Sequence, residues 1–381
     1  MEGKEPGTVL LARPEGNLGA SYCDHAKEEC NGCPLMGLEY GNQLEAKQKI
    51  LFDIFGEKIE IEPSPSELRY RNKAELSYIN GLLGYKRRGN FFESFELKDC
   101  LLLSEKANQI VQFISSDLKK RQIQSASIMQ RKPGLGYVCI RQGENEQMMV
   151  NFIFFGQVDG NIEALCNELL EKEVKSVNII LNETWSDTAF GKMIQTFGEK
   201  FIIDEILGKK FQIAPETFFQ TNKKSAQKIF SVVQENIPIG SRVLDLYCGV
   251  GTIGIAIAQK CKNVVGIEVN EQSVASAIMN AKNNGVENAI FYAGKAQEVL
   301  EYTPSEFDVV VVDPPRNGLE QQAIDCVLEI SAQKIIYVSC NPTTLARDIA
   351  KLQGYEICNL RAFDQFPQTS HIEMLCVLEK K

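Results

Sequence analysis

Histidine is scarce in this 381-residue chain; only His25 and His371 are present. A histidine-rich metal site is thereby excluded, and most acid–base work must fall to carboxylates, a thiol or lysine. No apolar run approaches the roughly 20 residues of a membrane span. Met1-Glu2-Gly3-Lys4-Glu5-Pro6 lacks the apolar core of a secretory signal. A cytoplasmic location with no membrane partner is expected. Positive charge is also in deficit: 41 Lys and Arg against 50 Asp and Glu leave a net charge of −9. That balance does not suggest a nucleic-acid binder, although a local basic face can still hold phosphate. Internal repeats, low-complexity tracts and long linkers are missing as well.

What is present begins with 12 cysteines, expected to be reduced or metal-bound in a cytosolic chain. Apolar content of 44% and charged content of 24% are ordinary for a globular protein. The pattern along the chain divides it into three. Residues 1–60 are loop-rich and carry three closely spaced cysteines, with helical spacing of apolar residues over 44–55. Residues 61–210 are mostly β. Alternation over 74–79, the Asn80-Gly81 turn and residues 82–85 predict a hairpin. Helices are expected over 101–118 and 161–173, and strands over 125–130, 137–141, 148–155, 177–181 and 201–206. Residues 211–381 alternate strand and helix patterns as a doubly wound, Rossmann-like α/β domain does.

Three strand-then-turn signals in that last region carry chemistry. Asp245-Leu246-Tyr247-Cys248-Gly249-Val250-Gly251 places a glycine loop after a strand, which permits a sharp turn and close approach of a ligand. Gly249 to Gly254 also fits a dinucleotide GxGxxG, so the bare pattern is ambiguous. Asp245 at the strand end would repel a pyrophosphate but could fix an amino group, and Glu268 after the next strand could take both hydroxyls of a ribose. An NAD-binding Rossmann domain is the competing reading. Asp313-Pro314-Pro315-Arg316 puts a carboxylate on a stiffened loop. Arg316, where amino-methylating enzymes carry an aromatic residue, argues against amino methylation. Val338-Ser339-Cys340-Asn341-Pro342 ends a strand in a thiol. Carbon 5 of uracil is a poor nucleophile. Thiolate attack at carbon 6 makes it enolate-like, after which a base must remove the carbon 5 proton. Such a site should favour the thiolate. Cys139, Cys166, Cys261, Cys326, Cys358 and Cys376 fit apolar filling instead, and Cys248 a structural place in the glycine loop.

These motifs, together with Asn317-Gly318-Leu319 and Thr369-Ser370-His371-Ile372-Glu373, resemble the RNA uracil-5-methyltransferase family, of class I S-adenosylmethionine-dependent fold. The resemblance runs from about residue 20 to the carboxyl terminus. It implies Cys340 as nucleophile and Glu373 as base, with Gln220, Tyr247, Glu268 and Asp313 contacting S-adenosylmethionine. Phe218 would line the target base, and His371 would be structural. RNA cytosine-5-methyltransferases, which carry a second cysteine in the Asp-Pro-Pro motif, are disfavoured.

Cys23, Cys30 and Cys33 form a C-x6-C-x2-C run, followed by Cys100. Four thiolates suit zinc or a [4Fe–4S] cluster, and spacing alone does not choose; the resemblance implies the cluster. Arg71, Lys86, Arg87 and Arg88 flank the predicted hairpin beside Tyr70, Phe91 and Phe92, offering phosphate-binding charge next to stacking surfaces. The target base must leave its stack or lie in a loop. The chain reaches Cys23 too soon for the extra RNA-binding β-barrel, the TRAM domain, of many members. It resembles the short branch that methylates 23S rRNA; a tRNA target is the alternative. A monomer is expected. The reading from another class is a non-catalytic RNA-binding or folding factor, which intact Cys340 and Glu373 argue against.

Overall fold

The computed structural model describes residues 23–26, 30, 32–301 and 306–381. Elements run in the order α1 (Tyr40–Phe55), β1 (Ile61–Glu62), β2 (Lys73–Ile79), β3 (Leu82–Gly84), β4 (Lys86–Arg87), β5 (Asn90–Ser94), α2 (Glu105–Lys120), β6 (Gly134–Gln142), β7 (Met148–Phe155), α3 (Ile162–Glu171), β8 (Val174–Asn182), β9 (Lys192–Gly198), β10 (Ile202–Ile206) and β11 (Lys209–Ile213). The α/β alternation follows: α4 (Lys223–Asn236), β12 (Arg242–Leu246), α5 (Thr252–Ile257), β13 (Asn263–Glu268), α6 (Glu271–Asn283), β14 (Ala289–Ala293), α7 (Ala296–Leu300), β15 (Val309–Val312), α8 (Gln321–Ile330), β16 (Lys334–Ser339), α9 (Pro342–Lys351), β17 (Tyr355–Phe363) and β18 (Glu373–Lys380).

Two large sheets organise these elements. The eight-stranded sheet has the order β1-β17-β18-β16-β15-β12-β13-β14. Strands β14, β13, β12, β15 and β16 are mutually parallel. Strand β18 runs antiparallel between β16 and β17. The central strand β15 is four valines, all buried, because helices cover both faces of a parallel sheet and leave no side to water. Two apolar clusters fill those faces, one around Val243, Val311 and Val338 and the other around Leu244, Val310 and Tyr337. The neighbouring residues fall in opposite clusters because strand side chains alternate.

The six-stranded sheet, β3-β2-β6-β7-β8-β9, is antiparallel except for the β7–β8 pair, which α3 connects. It packs its own apolar core with α2 and α3. Packing does not follow the chain throughout. Strand β1 pairs with β17 at the edge of the larger sheet, and α1 packs against α9.

The predicted helix over 101–118 begins later, because Ser104 caps α2 by accepting from the Ala107 amide at 3.1 Å. Residues 125–130, expected as a strand, make only isolated bridges, Ser125 to Leu135 and Ser127 to Lys132. The chain turns at 128–131, an excursion too tight to leave a partner strand there. Strands β9 and β11 escaped the sequence reading; β9 has no fully buried position, so its burial alternation is weak. Among the described residues, no helix is long and apolar enough to cross a membrane.

Candidate active site

The carboxyl ends of β12, β13, β15 and β16 lie along one edge of the large sheet, and antiparallel β18 begins at the same edge. Asp245 is the fourth residue of β12 and fully buried. Its Oδ2 accepts the Gly254 amide at 2.9 Å, tying strand to helix α5. Its Oδ1 is buried without a hydrogen-bond partner among the described residues. Burial pushes this carboxyl up to about 8, with Asp313 and Glu268 adding repulsion against the Gly254 amide. A buried acceptor left open beside a glycine loop fits the place of a ligand's amino group. The loop needs its glycines at two points: Gly249 and Gly251 have φ of +53° and +79°. No atom lies within 4 Å of where a Cβ on Gly249 would sit, so a ligand can approach the backbone. Glu268 ends β13; its carboxylate accepts the Gly249 amide at 3.3 Å and the Asn270 amide at 2.9 Å. Tyr247 stands at φ +62° in the turn.

Asp313 follows β15 directly, and burial raises it to about 7. The loop after it is held by residues that sequence reasoning missed. Asp348, fully buried on α9, accepts the Leu319 amide at 2.8 Å and the Tyr337 hydroxyl at 2.8 Å. A Cβ on Gly318 (φ +72°) would lie 2.4 Å from that carboxylate. The available signal was an acid on the apolar face of an amphipathic helix. Asn341 caps α9 by accepting from the Thr343 amide at 3.1 Å, and its Nδ2 donates to the Arg316 carbonyl at 3.1 Å. The Asp-Pro-Pro-Arg loop and the thiol loop are therefore braced together.

Cys340 is half-buried immediately after β16. Ser339 pairs with Met374 in the antiparallel β16–β18 ladder, so continuing the register by one residue sets Cys340 opposite Glu373. Glu373 is buried, and burial together with Asp313 raises its carboxyl well above the ordinary value, while Arg316 opposes the shift. The Cys340 thiol is pushed up to about 12 by burial, then by Glu373 and Asp313, with Arg316 again opposing. The sequence-based expectation of a site favouring the thiolate is thus corrected for the ligand-free protein: two acids face the sulfur. His371 is held neutral, lowered to about 4 by burial and by Arg316, Lys47 and Arg71; its Nε2 lies 3.2 Å from the Arg316 guanidinium.

Gln220 precedes α4, and its Oε1 accepts from Gln365 Nε2 at 2.8 Å. Phe218, two residues earlier, is 64% exposed. Arg71 donates from Nε to the Lys73 carbonyl at 2.8 Å and lines a cavity of about 50 Å³ that Cys23, Cys30, Cys33 and Cys100 also line. Among the described residues, no three His, Cys, Asp or Glu side chains converge as ligands of one ion. The basic hairpin is partly committed elsewhere. Lys86 donates to Asp187 at 2.6 Å and to Tyr137 at 3.0 Å, and Arg87 faces Glu93 at 3.8 Å. Arg88 is exposed at the turn.

Residues 39–381 match the family model of tRNA (uracil-5-)-methyltransferase. The chain belongs to that family. Its membership makes it an RNA uracil-C5-methyltransferase, and its fold is that of the class I methyltransferases. An RNA methyltransferase of Clostridium tetani is 34% identical, over 93% of this chain and 82% of its own. The tRNA (uracil(54)-C(5))-methyltransferase of Pyrococcus furiosus is 31% identical, over 92% of this chain and 84% of its own. The crystal structure of the Pyrococcus abyssi tRNA (uracil-54, C5)-methyltransferase in complex with S-adenosyl-L-homocysteine superposes with a TM-score of 0.81 at 30% identity. That match covers 92% of this chain and 86% of the other.

Proposed function

We propose that this methyltransferase transfers the methyl group of S-adenosylmethionine to carbon 5 of a loop uridine through a covalent adduct on Cys340. The observation that carries the reading is the strand register that sets Cys340 opposite Glu373, with Asp313 at the same sheet edge. Cys340 first loses its thiol proton to solvent; the thiolate adds to carbon 6, and the electrons of the carbon 5–carbon 6 double bond move to the uracil enolate. Carbon 5 then takes the methyl, leaving S-adenosylhomocysteine. Glu373 removes the carbon 5 proton, the double bond re-forms and the thiolate leaves. When bound, the methyl donor supplies an electrophilic methyl on a positively charged sulfur, which favours ionisation of the acids around it. Gln220, Tyr247, Glu268 and Asp313 would hold it at the strand ends, where such sheets bind ligands. Asp245 Oδ1 is the further acceptor there. Phe218, exposed beside Gln220, would stack on the extruded base, and Arg71, Lys86, Arg87 and Arg88 would face the RNA.

Cys23, Cys30, Cys33 and Cys100 would hold a [4Fe–4S] cluster. What supports this reading is that all four thiols line one cavity, since a cluster takes one thiolate per iron. The methyl chemistry uses no electron from it. For the target RNA, the Pyrococcus relatives named for uracil 54 of tRNA support a tRNA uridine. The 23S rRNA expected from sequence draws no such support from them.

Mapping 5-methyluridine by mass spectrometry in tRNA and 23S rRNA, from cells with the wild-type protein, without it and with Cys340→Ala, tests the proposal. One site should vanish in the last two strains. An unchanged map in both RNAs would overturn it.

A further inference from the structure

Helix α1 buries Gln43, Lys47, Ile50 and Leu51 on one face. The lower part of that face walls the catalytic pocket, where Ile50 and Ile54 stand beside Cys340, Arg316 and His371. The upper part is anomalous, because a glutamine and a lysine are fully buried on it. A buried ammonium must be paired, and Lys47 Nζ donates to Asp364 at 2.5 Å, with both side chains fully buried. Gln43 makes a reciprocal pair with Gln368: its Nε2 donates to Gln368 Oε1 at 2.9 Å, and its Oε1 accepts the Gln368 amide at 2.9 Å.

Both partners lie in residues 364–372, the connection between β17 and β18. Phe363 pairs with Glu373, so Asp364 sits one residue beyond the strand partner of the proposed base. The connection is buried at Asp364, Gln365, Gln368 and Thr369, and a buried loop must find partners for its backbone. Its carbonyls find them one after another in distant segments. Gln365 accepts from Asn222 Nδ2 at 2.8 Å, Phe366 from Lys47 Nζ at 3.1 Å, Pro367 from the Tyr70 hydroxyl at 3.0 Å and Gln368 from the Leu35 amide at 3.0 Å.

We infer that Lys47, through Asp364 and supported by the Gln43–Gln368 pair, is a positioning residue that holds Glu373 against carbon 5 of the uracil. The inference rests on the reading of Glu373 as the base. A buried ion pair is a weak source of stability, and apolar residues of similar volume often replace one at no cost. What the pair supplies instead is direction: charge and amide pairing admit one register between α1 and the loop, whereas an apolar contact would tolerate sliding.

The test uses full-length Lys47→Met/Asp364→Leu, which removes both charges and leaves neither buried alone. Its substrate is a transcript of the RNA identified by mapping, made with and without deuterium at uridine carbon 5. The double variant should keep its melting temperature and its affinity for S-adenosylhomocysteine. Its kcat should fall roughly ten- to a hundredfold, the penalty for a misplaced catalytic group, with KM little changed. A deuterium isotope effect on kcat should appear, and covalent enzyme–RNA adduct should accumulate, because proton removal has become slow. A purely structural role would move none of these last readouts. Wild-type turnover without an isotope effect, while Glu373→Gln traps adduct, would overturn the inference alone; failure of Glu373→Gln to trap adduct would overturn the base assignment beneath it. If the double variant shows no unfolding transition, Gln43→Ala, which leaves the ion pair in place, must show the same isotope effect, and its absence overturns the inference.

Discussion

Cys340 and Glu373 face each other in a ligand-free site where neither is easily ionised. Burial raises both, and each carboxylate near the sulfur raises it further; Arg316 is the cation opposing them. The roles separate by substitution. Cys340→Ala should lose methylation by several orders of magnitude while binding S-adenosylhomocysteine normally in calorimetry. Glu373→Gln keeps the shape but cannot accept a proton, so elimination should stall. It should leave an enzyme–RNA species that migrates slowly on a denaturing gel and requires both Cys340 and S-adenosylmethionine. An inactive Glu373→Gln without adduct would assign Glu373 an earlier role. The sequence could nominate both because each stands in a short motif, Val338-Ser339-Cys340-Asn341-Pro342 and Thr369-Ser370-His371-Ile372-Glu373, and these substitutions are what test the roles. Lys47, Gln43 and Asp348 were not legible. A polar residue on an apolar helix face signals burial but not its partner, and the partners lie 317, 325 and 29 residues away.

At the scale of elements, the cysteine segment and the β4–β5 hairpin meet. Cys30 bridges Arg87 in a short antiparallel contact, and the hairpin exposes Phe91 and Phe92 at 61% and 64%. Whatever orders the thiols therefore also steadies a ribbon that presents aromatic surface next to Arg88. Protein purified without oxygen should be brown and contain iron and sulfide. Cys33→Ser should lose the colour and bind RNA several-fold more weakly, with affinity for S-adenosylhomocysteine unchanged. A colourless protein carrying one zinc per chain would reject the cluster. The Asn80-Gly81 hairpin was readable because turn chemistry is local; Gly81 has φ +77° there. Residues 125–130 misled because the chain turns back at 128–131, which leaves only isolated bridges and no partner strand. Lys86 looked available for RNA because its ion pair with Asp187 spans 101 residues.

For the whole molecule, the clustered acids make folding stability depend on pH. Burial pushes Asp245 and Asp313 up to about 8 and 7 in the folded protein, above their unfolded values near 4. A raised acid stabilises fully below its unfolded value and loses that contribution as pH rises through its folded value. His371, lowered to about 4, works in the opposite sense but only below its unfolded value of about 6.5. Between pH 6.5 and 8 the acids are thus left to set the trend, and the ligand-free protein should lose roughly 1–2 kcal/mol per raised acid across that window. Chemical denaturation at a series of pH values measures the slope, and Asp245→Asn should flatten it. A slope unchanged in Asp245→Asn would show that this carboxyl is already ionised in the fold.

Local order and chemistry were determined by the sequence itself: the α/β alternation after residue 210, the three strand-end motifs and their match to the family. These are short-range properties, set by side-chain periodicity, glycine and proline geometry and residue reactivity. Only the tertiary structure decided which strand ends share an edge. Strand β18 could have lain elsewhere, and its insertion between β16 and β17 is what brings Glu373 opposite Cys340. The same holds for α1, which lies far from the Cys340 and Glu373 motifs in sequence yet walls the pocket beside Cys340 and fastens the loop before Glu373. Register, burial and ion pairing depend on the simultaneous packing of distant segments, and no window of sequence contains both partners.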